Sequence, residues 1–132
     1  MKLNDYFQQE SGVGILATAN AKGEVDSAIY SVPHMCEDNS IAFIMRDRLT
    51  HSNLQSNPFA SYMFIEAGKG YTGVRLYLEK IREDDNPELI ASMTRRHLTP
   101  EEDRAKGPKF IVYFAVNKIL PLIGSGDPGV LG

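Results

Sequence analysis

The feature that most constrains this chain is an apolar run, Ile41 to Met45, that ends abruptly in charged residues. Both alternating faces of the run are apolar, so a strand formed from it has to be covered on both sides. The charged residues Arg46-Asp47-Arg48 mark the point where the chain leaves the core. We expect a short helix next, capped near Asp47 or Thr50. It should end at Asn57-Pro58, because the residue before a proline avoids helical geometry.

The turn between this strand and this helix has two interpretations. Arg46, Arg48, the hydroxyls of Thr50 and Ser52, and His51 all lie near the start of the helix. A helix N-terminus has N–H groups without intrahelical partners, and guanidinium groups match phosphate oxygens, so the cluster suits a phosphate group. The alternative is a solvated turn followed by an ordinary capped helix. The residue types alone leave both interpretations open.

The remaining patterns predict a small β protein with short helices. Strands are predicted over residues 13–20, 24–33, 41–45, 59–66, 72–83 and 110–120. A helix over residues 3–10 follows from its apolar spacing, and Asn86-Pro87 and Thr99-Pro100 each read as an N-cap followed by a first-turn proline. Sequential strands with short connections favour antiparallel pairing. The expected fold class is mainly β with short helices, a six-stranded antiparallel barrel that avoids exposed edges by closing on itself.

Length and charge limit the class of protein. The 132 residues predict a single domain, residues 1–132, whose Gly-rich tail over 124–132 is expected to be mobile or to lie across a partner. A net charge of -3 argues against nucleic acid as the main partner. No segment approaches the ~20 apolar residues of a membrane span, and no apolar core of a signal peptide is recognised. We therefore expect no membrane partner and a cytoplasmic location.

No constellation of side chains identifies a catalytic residue. The single cysteine, Cys36, cannot form an internal disulfide, and no Cys/His set has the spacing of a zinc site, so no metal is predicted. The known nucleophile, phosphate-loop and dinucleotide motifs are absent. Any chemistry would then come from a cofactor. A solvated basic face is expected from Arg95-Arg96 together with Arg104, Lys106 and Lys109.

The order of these motifs resembles the FMN-binding split-barrel superfamily, the pyridoxamine 5'-phosphate oxidase-like proteins. The resemblance is carried by Ala17-Thr18, by Gly23 and by the helix end Asn53-Leu54-Gln55-Ser56-Asn57-Pro58. It covers residues 3–83 well and the last strand loosely. Each motif is short, and their order and spacing together carry the specificity.

The resemblance implies a six-stranded Greek-key split barrel that forms a homodimer with FMN at the subunit interface. It also implies an FMN-dependent oxidoreductase or electron carrier that acts on an unknown small substrate. The FMN phosphate would lie at the turn after the third strand, against Arg46, Arg48, Thr50, His51, Ser52 and Asn53. The flavin ring would lie along the second strand, at Ile29, Tyr30 and Ser31.

The chain departs from the family pattern in its cations. Many relatives carry a lysine in the phosphate turn, whereas this chain has none between Lys22 and Lys69, so Arg46 or Arg48 would have to supply the charge. The residues that hold pyridoxamine phosphate in the oxidase are not recognisable, so vitamin B6 oxidation is not predicted. The alternatives are a purely structural dimer and a non-enzymatic protein that binds haem or a deazaflavin or stores or senses flavin. Haem would need a histidine ligand, which restricts the candidates to His34, His51 and His97.

Overall fold

The computed structural model describes residues 1–95 and 98–132. The strands are β1 (Gly12–Ala19), β2 (Val25–Ile29), β3 (His34–Met35), β4 (Ile41–Arg46), β5 (Phe59–Glu66), β6 (Gly73–Asp84) and β7 (Lys109–Pro121). The helices are α1 (Leu3–Gln9), α2 (Leu49–Ser56), α3 (Pro87–Met93) and α4 (Pro100–Ala105). Asn86 and Thr99 cap α3 and α4 through their side chains, which confirms both predicted helix starts. The helices that the structure describes all lack the length and the apolar character of a membrane span.

The strands form one antiparallel sheet in the order β2-β1-β5-β6-β7-β4-β3. The mainly β fold with short helices is confirmed, but the closed six-stranded barrel is wrong. The described sheet has seven strands and is open, with β2 and β3 at its two edges. The additional strand, β3, has only two residues and follows Pro33, so it is too short to produce an alternating pattern. β5, β6 and β7 are successive neighbours and β4 lies beside β7, which is a Greek-key arrangement.

The first prediction, that β4 is covered on both faces, is confirmed. Phe43, which is 2% exposed, belongs to the main core inside the curved sheet. Ala42 faces the opposite side and packs in a second cluster with Ile90 of α3 and Ile111 of β7. This arrangement places α3 over β4 and β7, and Thr94, the residue after α3, lies near the end of β4 where the predicted phosphate turn begins.

The two ends of the chain pack together. Leu3, Tyr6 and Phe7 of α1 are buried, as the helical spacing predicted. In the tail, Val130 is buried in the main core, and the N–H of Leu3 donates to the Leu131 carbonyl at 2.8 Å. Arg75 Nε also donates to the Pro121 carbonyl at 2.9 Å, just before the tail.

Candidate functional site

The N-terminus of α2 has no side-chain cap. The helix begins at Leu49, and Arg48 occupies the N-cap position in extended geometry without a side-chain capping bond. The cap predicted near Asp47 or Thr50 is therefore wrong. The carboxylate of Asp47 instead lies 2.9 Å from His51 Nδ1, and Thr50 lies inside the first turn. Because the first N–H groups of a helix have no intrahelical acceptors, this uncapped end is suited to receive an anion.

A cavity of about 520 Å³ opens at this helix end. It lies between β2, which is one edge of the sheet, the end of β4, the start of α2 and the segment that contains α4. The charged residues among those described as lining it are Arg46, Arg48, Lys106, Lys109, Asp26 and Asp103. Four cations against two carboxylates leave an excess of two positive charges.

The structure brings together five of the nine predicted site residues. Lining the cavity are Ile29, Tyr30, Arg46, Arg48 and Thr50. Ser31 lies instead at a smaller cavity of about 180 Å³, which adjoins the first because Tyr30 lines both. His51, Ser52 and Asn53 line neither of these two cavities.

His51 holds α2 against the sheet. Its side chain is 7% exposed, and its Nε2 lies 3.0 Å from a carboxylate oxygen of Glu83 on β6. The imidazole also stacks on Phe110 of β7, with ring centroids 4.0 Å apart. Together with the Asp47 contact, these interactions use both ring nitrogens and one ring face. His51 thus positions the helix whose N-terminus borders the cavity.

Asn53 also positions α2. Its side-chain amide is buried and donates to Thr18 Oγ1 of β1 at 3.1 Å. Leu54 is buried in the main core, so two neighbouring residues of the helix-end motif fix α2 on the sheet. Ser52 is exposed on the opposite side of the helix.

Tyr30 forms the wall where the two cavities meet. Burial raises the pKa of its phenol, against the opposing effect of a hydrogen bond with Thr50. The backbone at Tyr30 is fixed by Tyr62, whose hydroxyl donates to the carbonyls of Tyr30 at 3.3 Å and Ser31 at 3.0 Å. This approach requires a glycine at position 14: a Cβ on Gly14 would lie 1.9 Å from the Tyr62 hydroxyl oxygen. The wall is therefore rigidly placed.

The alternation along β2 has a structural explanation. Asp26, Ala28 and Tyr30 line the cavity. On the other face, Val25 is 83% exposed and Ile29 is 73% exposed, and Ile29 also reaches the cavity edge. The strand therefore separates the cavity from an open apolar surface.

Two lysines that sequence reasoning assigned to a solvated face belong to the cavity. Lys106 follows α4 and Lys109 begins β7, and both line the cavity. Lys109 is the cross-strand partner of Arg46 in the pairing of β4 with β7. Only this long-range pairing brings the lysine beside the turn, so no local pattern could have indicated it.

The other candidate side chains are distributed as follows. His34 is half-buried and lines the smaller cavity, where burial and then the Arg95 charge lower its pKa. His97, the third histidine considered as a haem ligand, lies outside the described residues. Cys36 is half-buried beside the smaller core cluster. The described residues contain no group of His, Cys, Asp and Glu that could hold a metal ion.

Neither a protein-family model nor a curated protein sequence matches the chain. Solved structures do match it. An FMN-binding protein from Syntrophomonas wolfei subsp. wolfei is 22% identical with a TM-score of 0.72, and the match covers 95% of this chain and 86% of that one. An F420 reductase is 15% identical with a TM-score of 0.61, with coverages of 87% and 94%. A candidate pyridoxamine 5'-phosphate oxidase from Lactobacillus delbrueckii is 12% identical with a TM-score of 0.63 and 88% coverage of each chain.

These similarities confirm the resemblance at the level of fold. The chain has the architecture of the FMN-binding split-barrel proteins, and its open seven-stranded sheet fits that architecture.

Proposed function

We propose that this chain binds FMN in the 520 Å³ cavity and works as an FMN-dependent oxidoreductase or electron carrier. The observation that carries the proposal is the meeting of an uncapped helix N-terminus with four cationic side chains at one cavity. The cavity volume falls within the ~300–1,000 Å³ typical of small-molecule sites. The similarity in fold to an FMN-binding protein supports the choice of flavin.

In this proposal Arg48 and Thr50 contact the phosphate together with the N–H groups of the first turn of α2. A phosphate monoester carries about -1.5 to -2 charges at pH 7, which matches the cationic excess of the cavity. Arg48 is exposed, and none of the ion pairs found in the described part of the chain uses it. The proposal replaces contacts from His51 and Asn53 with a positioning role for both residues, and it assigns no contact to Ser52.

The ring of the flavin would lie along β2. Ala28, Ile29 and Tyr30 supply an apolar wall there, and Ile44 faces it from β4. Bound flavin supplies hydride or single-electron transfer. The residues of the chain orient the ring and exclude water from one of its faces, while the smaller cavity beside Ser31 leaves room for a second small molecule.

We also propose that a second copy of the chain covers the open face of β2, β1 and β5. The strand register places on this one face the side chains of Val13, Ile15, Val25, Ile29, Phe59, Met63 and Ile65. Phe59 is 59% exposed and Val25 is 83% exposed, and such contiguous apolar surface marks an interaction site. Because Ile29 belongs to this face and also lines the cavity, a second protomer would border the flavin.

Light scattering coupled to size exclusion tests the dimer. Phe59→Asp should convert a dimer to a monomer, whereas Leu131→Asp, at an exposed apolar position in the tail beside α1, should leave the dimer intact. A wild-type monomer at tens of micromolar, or equal effects of the two variants, would contradict the dimer. The cytoplasmic location expected from the sequence stays a prediction.

The test of flavin binding is the visible spectrum of the purified protein followed by FMN titration. Arg48→Ala should weaken FMN binding by about 10- to 100-fold, because a charge-assisted hydrogen bond contributes ~1.5–3 kcal/mol. Arg104→Ala removes the same charge from α4 without touching the cavity and should change the affinity by less than about twofold. Protein that is colourless and does not retain added FMN would contradict the proposal. A haem Soret band abolished by His34→Ala would instead favour the non-enzymatic haem-binding alternative.

A further inference from the structure

Two cations lie side by side in the lining of the cavity. Arg46 ends β4 and Lys109 begins β7, and the two residues are directly paired across the strands. Like charges in such positions destabilise a sheet. One oxygen of Asp103 compensates both of them: Oδ1 lies 2.7 Å from Arg46 Nη2 and 2.9 Å from Lys109 Nζ. Asp103 is therefore an internal anion that bridges the pair.

The carboxylate is more accessible than the cations it neutralises. The side chain of Asp103 is 37% exposed, against 17% for Arg46 and 22% for Lys109. All three line the cavity. The neighbouring cations Lys109 and Arg46 hold the pKa of the Asp103 carboxyl below its ordinary range, so it is ionised at neutral pH. An anion that enters the cavity would meet the Asp103 carboxylate before it could reach Arg46 and Lys109.

The helix that carries Asp103 is weakly attached. α4 has six residues and none of them is buried. Besides the Asp103 carboxylate, Arg46 Nη1 holds its C-terminal end by donating to the carbonyls of Asp103 at 3.1 Å and Gly107 at 2.7 Å. A segment that buries none of its side chains can be released at little cost in buried apolar surface.

We propose that Arg46 and Lys109 form an oxyanion site that the Asp103 carboxylate occupies in the resting protein and that the phosphate of the cavity's ligand takes over. The inference rests on the proposed function for the identity of that ligand, a phosphate monoester. A phosphate presents three oxygens, so it can bind the guanidinium fork and the ammonium together, whereas Asp103 offers both cations a single oxygen. Displacement of the carboxylate couples occupancy of the cavity to release of α4.

Calorimetric titration with inorganic phosphate at low ionic strength tests the site. Asp103→Asn should bind phosphate about tenfold more tightly than wild type, because the amide no longer competes as an anion. Glu101→Gln is the matched control: it removes one exposed carboxylate from the same helix, away from the cavity lining, and should bind as wild type does. Equal affinities in the two variants, weaker binding by Asp103→Asn, or no phosphate binding by any form would each overturn the inference.

Hydrogen exchange on the wild-type chain tests the displacement without a substitution. Saturating phosphate should speed exchange of the amides over residues 101–106, and unchanged or slower exchange there would overturn the inference. The two proposals can fail separately. If Asp103→Asn binds phosphate more tightly but the chain does not bind FMN, the flavin proposal is refuted and the anion site is retained. If the chain binds FMN but Asp103→Asn does not increase its affinity for phosphate, the flavin proposal is retained and the displacement of Asp103 is refuted.

Discussion

Replacing Glu83 with glutamine should destabilise the protein at neutral pH and have little effect in acid. Burial opposes ionisation of this carboxyl, but hydrogen bonds from Gln55, Lys80 and His51 lower its pKa from the ordinary 4.5 to about 2. That difference in pKa between the unfolded and folded chains corresponds to about 3 kcal/mol of folding stability. The contribution is complete above pH 4.5 and is lost as the pH falls from 4.5 toward 2, because the folded state holds the carboxylate ionised.

Urea unfolding of wild type and Glu83→Gln between pH 7 and pH 3 measures this contribution. The stability difference between the two proteins should be on the order of 3 kcal/mol at pH 7 and should shrink by about 2 kcal/mol by pH 3. Glu37→Gln, at an exposed carboxylate, is the control and should show a small difference at every pH. A difference for Glu83→Gln that does not vary with pH would refute the reasoning that ionised Glu83 anchors α2.

Two further substitutions test how the site is held. Asn53→Ala should cost about 1–3 kcal/mol in urea unfolding, since it removes a buried hydrogen bond to Thr18; a loss equal to that of the exposed Ser52→Ala would show that this bond does not fix α2. Gly14→Ala should lower the free energy of unfolding by about 1–3 kcal/mol and weaken FMN binding. The reason is that the new Cβ would clash with the Tyr62 hydroxyl that holds the backbone at Tyr30. Unchanged stability and an unchanged flavin spectrum would contradict this account of the cavity wall.

The elements that the sequence predicted correctly depend on local chemistry. The two-sided apolar pattern of Ile41–Met45 requires cover on both faces wherever the strand pairs, so β4 could be predicted without knowing its neighbours. The caps at Asn86 and Thr99 involve N–H groups two or three residues away. Hydrogen bonds between residues this close in the chain can be predicted from the local sequence.

The features that could not be predicted depend on contacts between distant segments. Asp47 was expected to cap α2, but it bonds His51, whose ring is fixed by Glu83 some 32 residues along the chain. Lys109 reaches the cavity only because β7 pairs with β4. The closed barrel was wrong for a related reason: which edges of a sheet meet is decided by the whole topology, and β3 is too short to indicate an edge by its pattern.

The central claim is that the cavity at the start of α2 recognises a flavin through its phosphate. The most direct test compares the affinities of the wild-type chain for FMN and for riboflavin, which has the same ring and no phosphate. Binding of FMN at least about 100-fold tighter than riboflavin is predicted from two or more charge-assisted contacts. Equal affinities, or no binding of FMN, would contradict the claim.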